Sequence, residues 1–147
     1  MKRAIVLVAV AIVCMAAVSA QDKPNFAGRW RAPDSFNVWT IAVEGSKMTV
    51  TMTVAGNSES TVYMLDGTPS IKTIEGPNGT VENVLTSTWE GHVLVTTITA
   101  PGMSRVERRS IEADGTMRVQ NTITMVQGKP APPAPPGAGL VVLKKIQ

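Results

Sequence analysis

The 147 residues carry 14 Lys and Arg against 11 Asp and Glu, with one His and one Cys. That length suits a single domain with one core. One histidine and one cysteine exclude a nitrogen-and-sulfur zinc site, which takes three or four protein ligands. Lys2 and Arg3, an apolar run from Ala4 to Val18, and Val18-Ser19-Ala20 ahead of polar Gln21 have the layout of a secretory signal peptide cleaved after Ala20. The run is about 15 residues, short of the roughly 20 that span a bilayer. Residues 1–20 are therefore read as a leader that takes Cys14 with it. Residues 21–147 form one domain in the periplasm or outside the cell, with no membrane span of its own. That domain keeps 12 basic and 11 acidic residues and no cysteine, which removes disulfide and thiolate chemistry. Only Arg105, Arg108 and Arg109 crowd together, too small a basic face for a nucleic-acid partner.

No segment has helical periodicity, and Gly-containing turns interrupt alternating Thr, Val, Met and Ile at short intervals. A short strand at Gly28–Trp30 opens the domain. With Gly45-Ser46 as a two-residue turn, Glu44 pairs with Lys47, Val43 with Met48, Ile41 with Val50 and Trp39 with Met52. Every apolar member then shares one face, so a one-residue slip would mix apolar and polar sides and the register is well specified. Asp66-Gly67 turns a second hairpin that sets Val62 opposite Ile71, with Pro69 at a strand start or edge because it has no N–H for a ladder. Glu90-Gly91 turns a third, joining Val81–Trp89 to His92–Ala100. Leu85, Trp89, Leu94 and Ile98 fall on one face, Val84, Val93 and Val95 on the other, and neither declares itself the inner one. Asp114-Gly115 turns a fourth, with Val106 opposite Ile123, Arg108 opposite Asn121 and Ser110 opposite Val119. Arg105, Glu107, Arg109, Arg118 and Gln120 are left on a solvated face. Residues 129–139, rich in Pro, Ala and Gly, make a stiff connector, and Leu140–Ile146 is apolar enough to return to the sheet as the last strand. The expectation is an all-β antiparallel up-and-down meander of about 8–10 strands, a closed or partly open barrel.

Asn25-Phe26-Ala27-Gly28-Arg29-Trp30 places a Gly-x-Trp at the head of the first strand with Phe just before it, and Ser87-Thr88-Trp89-Glu90-Gly91 puts a Trp at a later turn. In this order, with hairpins between, the pattern resembles lipocalins and fatty-acid-binding proteins, and most of all small exported bacterial proteins of that lipocalin-like type. The resemblance implies a barrel in which Trp30 closes one end as a structural plug. Two features depart from it. Only Arg31 to Asn37 stands where fatty-acid-binding proteins carry a two-helix lid, and no helix follows Met125 where a lipocalin has one.

Candidate chemistry is sparse. His92 follows a turn and reads as solvated, not as a metal ligand or general base. No serine sits in a nucleophile elbow, and no pair of carboxylates is singled out, so neither a catalytic residue, a metal nor a cofactor is expected. Arg108 and Asn121 are polar residues on an apolar face. An inward guanidinium can take a carboxylate bidentately while the amide adds a hydrogen bond. Otherwise Arg108 reaches water or pairs with Glu82 or Glu112. Trp39, Ile41, Met52 and Met117 would line the apolar part, although Met fills irregular cores as readily as pockets. The reading is an exported protein that binds a small apolar or amphipathic ligand in its interior. The alternative is a structural or protein-interaction module with a filled core, engaging a partner through a sheet edge.

Overall fold

The computed structural model describes residues 22–147, so the leader and its cleavage site lie outside the described residues. The described chain is all strand and turn. The strands are β1 (Gly28–Arg31), β2 (Val38–Glu44), β3 (Lys47–Val54), β4 (Asn57–Met64), β5 (Ser70–Gly76) and β6 (Gly79–Glu90). After them come β7 (Val93–Ala100), β8 (Met103–Ile111), β9 (Met117–Val126), the two-residue β10 (Lys129–Pro130) and β11 (Leu140–Ile146). They join in one antiparallel sheet, in the order β4-β3-β2-β1-β11-β9-β8-β7-β6-β5, with β10 against β9. β11 lies between β1 and β9 and so closes the two halves of the meander on themselves. The one seam that stays unladdered runs between the end strands β4 and β5.

The first hairpin has the expected register, from Glu44↔Lys47 to Trp39↔Met52. The third turns one residue later than expected, at Gly91-His92, with Glu90 opposite Val93 and Trp89 opposite Leu94. The offset changes each pairing by two positions, so the face assignment survives. Leu85, Leu94 and Ile98 point inward, with Ser87 and Thr96 hydrogen-bonded to each other among them at 2.8 Å.

Two expectations fail. Asp66-Gly67 does form a turn, steadied by Thr68 N–H donating to Asp66 Oδ1 at 3.0 Å. Its flanking strands, however, do not ladder, and Val62 and Ile71 are not backbone partners. β4 pairs with β3 through a turn on Ala55-Gly56, both with positive φ, and β5 pairs with β6 through Pro77-Asn78.

The fourth hairpin is the second correction. Asp114-Gly115 occupies the end of a three-residue loop, closed by Glu112 N–H to Thr116 O at 2.8 Å and Gly115 N–H to Glu112 O at 2.9 Å. Gly115 takes φ 79°, the left-handed residue that such loops require. The extra residue slips the ladder by one, so Glu107, not Arg108, faces Asn121. Because side chains alternate with period two, that slip exchanges the two faces of β8. Arg105, Glu107 and Arg109 turn inward and Arg108 turns out.

The Pro-rich segment is an excursion from the β9 edge. Ala131 N–H donates to Thr124 O at 2.9 Å before it, and Asn121 N–H donates to Gly139 O at 2.9 Å after it. Pro132, Pro133, Pro135 and Pro136 have no N–H to continue the ladder, so the strand breaks between β10 and β11. Gly139, at φ 75°, lies so close to the Asn121 carbonyl that a Cβ there would collide with backbone.

Successive hairpins put the ends of the barrel in order. The lower end receives the Gly45-Ser46, Asp66-Gly67 and Gly91-His92 turns. The upper end carries the loop 32–37 and the turns at 55–56, 77–78 and 101–102. Phe26 and Trp30, 1 and 2% exposed, plug the lower end, where Trp30 Nε1–H donates to Phe26 O at 2.9 Å. Phe26 also stacks on Trp89 with ring centroids 6.0 Å apart. The two short motifs that carry the resemblance thus meet at one end of the molecule. Above them Met48, Leu94, Met117 and Leu143 fill the lower core.

Candidate ligand-binding site

Above that filled layer the interior opens into a cavity of about 220 Å³. Its apolar wall comes from Trp39, Val50, Met52, Met117, Val119, Val141 and Leu143, and its polar wall from β4, β5, β8 and β9. Alternation explains how one strand can supply so much of the polar wall. Arg105, Glu107 and Arg109 stand at every second position of β8 and therefore on one face.

Glu107 and Arg109 are 7 and 4% exposed, and Arg109 Nη2–H donates to Glu107 Oε1 at 2.8 Å. The Arg109 guanidinium also lies over the Tyr63 ring, 5.2 Å from its centroid, a cation–π contact that a desolvated site strengthens. Burial works against the charge on Arg109, but Glu107 and Tyr63 more than offset it, and its pKa stands above the ordinary value. On the seam side, Lys72 Nζ lies 2.6 Å from Glu59 Oε1 and donates to Thr61 Oγ1 at 2.9 Å. With those two pairs made, Arg105 is the cation of the wall without a carboxylate partner.

Among the described residues, three buried side-chain atoms have no hydrogen-bond partner: Arg105 Nε, Arg109 Nε and Asn121 Oδ1. All three belong to the cavity wall. A buried unmatched polar group costs about 1–3 kcal/mol, so their convergence on one hollow marks the place where a polar group from outside would be satisfied.

Of the residues expected from sequence, Trp39, Met52, Met117 and Asn121 meet in this cavity. Ile41 is 3% exposed in the core below it and is not part of the wall. Arg108 is on the outer face, its side chain 45% exposed and paired with Glu90 at 2.6 Å, so it does not reach the cavity. Its place is taken by Arg105, with Tyr63, Glu107 and Arg109 beside it. His92 is exposed in its turn, and among the described residues no three acidic, His or Cys side chains gather to hold a metal ion.

A larger hollow of about 570 Å³ lies at the lower end, between the N-terminal segment and the turns around Ser46, Asp66 and Trp89. It is broad and open to solvent, and no partnerless buried atom belongs to its wall. The smaller cavity is the better site.

Tyr63 offers a direct check on this interior. Burial, then the negative charge of Glu107, pushes its phenol up to about 12. It is the one tyrosine in the chain, so an absorbance titration reads it alone. Tyrosinate should form with a midpoint near pH 12 and not near 10. Between those values the unfolded state loses a proton that the folded state keeps, so stability should fall as pH rises through the window. The slope should be at most about 1.4 kcal/mol per pH unit. A midpoint near 10 in folded protein would put Tyr63 in water and remove it from the wall.

No family model matches the chain, and no curated protein matches it. Solved structures do. The secretary abundant heat soluble protein from Ramazzottius varieornatus superimposes with a TM-score of 0.57 over 82% of this chain and 95% of that one, at 13% identity. The REP1-NXSQ fatty acid transporter superimposes with a TM-score of 0.53 over 76% of this chain and 71% of that one, at 11% identity. In fold, this is a nearly closed antiparallel β-barrel like theirs. Identities this low carry the architecture and leave the ligand to be argued from the cavity.

Proposed function

We propose that this chain is an exported binding protein that takes a small amphipathic anion, its head at Arg105, Arg109 and Asn121 and its body against Trp39, Met52 and Val119. The observation that carries the reading is the gathering of three residues with buried, partnerless polar atoms in the wall of one cavity. A carboxylate accepts from both guanidinium Nε–H groups, and the Asn121 amide completes the set with either its oxygen or its nitrogen after a half-turn. The layout of residues 1–20 supports export to the periplasm or the exterior. Binding without chemistry is supported by a wall whose acidic groups, Glu59 and Glu107, are both engaged in ion pairs.

Cavity size sets the ligand class. About 220 Å³ exceeds the roughly 150 Å³ in which an apolar cavity holds benzene. It falls below the 300 Å³ or so at which pockets for larger ligands begin. Scaling from benzene gives a ligand of roughly nine non-hydrogen atoms, one ring or a short chain. A fatty acid is the cargo named for one of the structural neighbours, and the space here suits the same kind of head on a much shorter body. Ligands of that size bind with a Kd on the order of 1–100 μM.

The test is titration of the purified protein with benzoate and with its neutral counterpart benzamide, followed by tryptophan fluorescence and calorimetry. A micromolar, one-to-one complex with the acid, at least tenfold tighter than with the amide, is the expected result. Equal binding would refute an anionic head, and no binding by either, nor by shorter acids, would return the protein to the partner-docking alternative.

A further inference from the structure

Of all the residues in the cavity wall, Glu59 alone is exposed, its side chain 57% accessible, and it stands on β4 at the unladdered seam. Lys72 faces it from β5, half-buried at 21%. Everywhere else in the barrel, moving one strand from its neighbour breaks a row of backbone hydrogen bonds. Between β4 and β5 the links are side-chain ones: Lys72 to Glu59, Lys72 to Thr61, and Ser70 Oγ–H to the Val62 carbonyl at 2.6 Å. The Ser70 link lies next to the Asp66-Gly67 turn, and the two Lys72 links lie further up, over the cavity. Nothing ties the strands above Glu59, where β5 runs on through Thr73 to Gly76.

We propose that small molecules reach the cavity through the seam between β4 and β5, and that the Lys72–Glu59–Thr61 cluster is the latch across that opening. The energy scale fits. A partly exposed ion pair contributes up to about 1 kcal/mol, so thermal opening is frequent, whereas parting a laddered pair of strands would break several backbone bonds together. The latch also favours anions. When Lys72 leaves Glu59, an incoming carboxylate can take over the ammonium and is then passed inward to Arg105, whereas a neutral molecule leaves Lys72 without a partner as it passes. This last step rests on the anion-binding reading above, but the seam as the route does not.

Because residues 21–147 contain no cysteine, access can be measured without any ligand. Val119, 8% exposed in the cavity wall, is changed to Cys in the chain from Gln21, and thiol labelling is timed with a neutral disulfide, 4,4′-dithiodipyridine. Glu59→Gln and Lys72→Met, each added to that background, should speed labelling about fivefold, as loss of roughly 1 kcal/mol of latching predicts. The melting temperature should hold within a degree or two. Thr61→Val, which removes the third contact without changing shape, should give a smaller rise in the same direction. Unchanged labelling in all three variants would overturn the proposal. So would faster labelling that merely tracks a lower melting temperature. Stopped-flow binding of benzoate then separates the two readings. If seam variants label faster while benzoate never binds, the route stands and the anion reading falls. If benzoate binds and labelling is indifferent to the seam, the reverse holds.

Discussion

Arg105→Met should weaken benzoate binding by between about ten- and 150-fold while changing the affinity for benzamide less than threefold. A hydrogen bond to a charged group contributes about 1.5–3 kcal/mol, and tenfold in affinity is about 1.4 kcal/mol. Arg105 is singled out because the other cations of the wall are engaged, Arg109 with Glu107 and Lys72 with Glu59. Its Nε is buried without a partner, so the apo protein already bears the cost of holding it there. The substitution should therefore leave the apo melting temperature unchanged or raise it, since Met fills the space and removes an unmatched donor. Opposite signs on ligand affinity and apo stability are the signature of a residue kept for binding. Calorimetric titration and a thermal melt on the same preparation decide it. An equal loss for acid and amide would mean that Arg105 only shapes the cavity, and a lower melting temperature would mean that it supports the fold.

Much of this architecture is legible in the sequence, and the failures have a common physical origin. The β2–β3 hairpin reads correctly because its two faces differ sharply, with Trp39, Ile41, Met48 and Val50 on one and Thr40, Thr49 and Thr51 on the other. The last strand reads correctly because Leu140 to Leu143 could not remain in water. β8 has no such contrast: Arg105, Glu107 and Arg109 alternate with Ser104, Val106 and Arg108, and neither set is apolar. Its orientation then hangs on the turn, where Asp-Gly suits a two-residue loop as well as the end of a three-residue one. The signal that could have decided it is Ile111, which shares a face with Arg109 and Glu107 and packs against the core opposite Met117. An apolar residue next to a turn fixes a face better than the charges further along.

The seam was hidden for a related reason. Asp66-Gly67 forms a genuine turn, and sequence gives turns more readily than it gives ladders. What separates β4 from β5 is the set of partners each already has, Tyr63 opposite Met48 on β3 and Ser70 opposite Leu85 on β6. A strand with one committed neighbour and a proline at its approach can stay an edge. Here the two edges meet at the cavity wall, to which they contribute Glu59, Thr61 and Lys72.

Glu107→Leu should cost about 3–5 kcal/mol of the roughly 5–15 kcal/mol that holds a domain of this kind. The effect comes less from losing an attraction than from what remains: an Arg109 guanidinium 4% exposed inside the barrel with no carboxylate beside it. Glu107→Gln, which retains an acceptor for Arg109 Nη2–H, should cost less. The double variant Glu107→Leu/Arg109→Leu should recover most or all of the loss, because replacing both members of a buried ion pair by apolar side chains is often neutral or stabilising. Tyr63 supplies a second readout that mere packing would not move. Glu107 is one of the groups that raise its pKa and Arg109 one that lowers it, so Glu107→Gln should bring tyrosinate formation down from about pH 12. Urea denaturation at neutral pH gives the three stabilities, and absorbance titration gives the tyrosine. If Glu107→Leu costs under about 1 kcal/mol, water reaches Arg109 and the wall is wetter than its burial implies. If the double variant is no better than the single, the pair fixes the path of β8 itself, and the inward face of that strand depends on charge as much as on its turn.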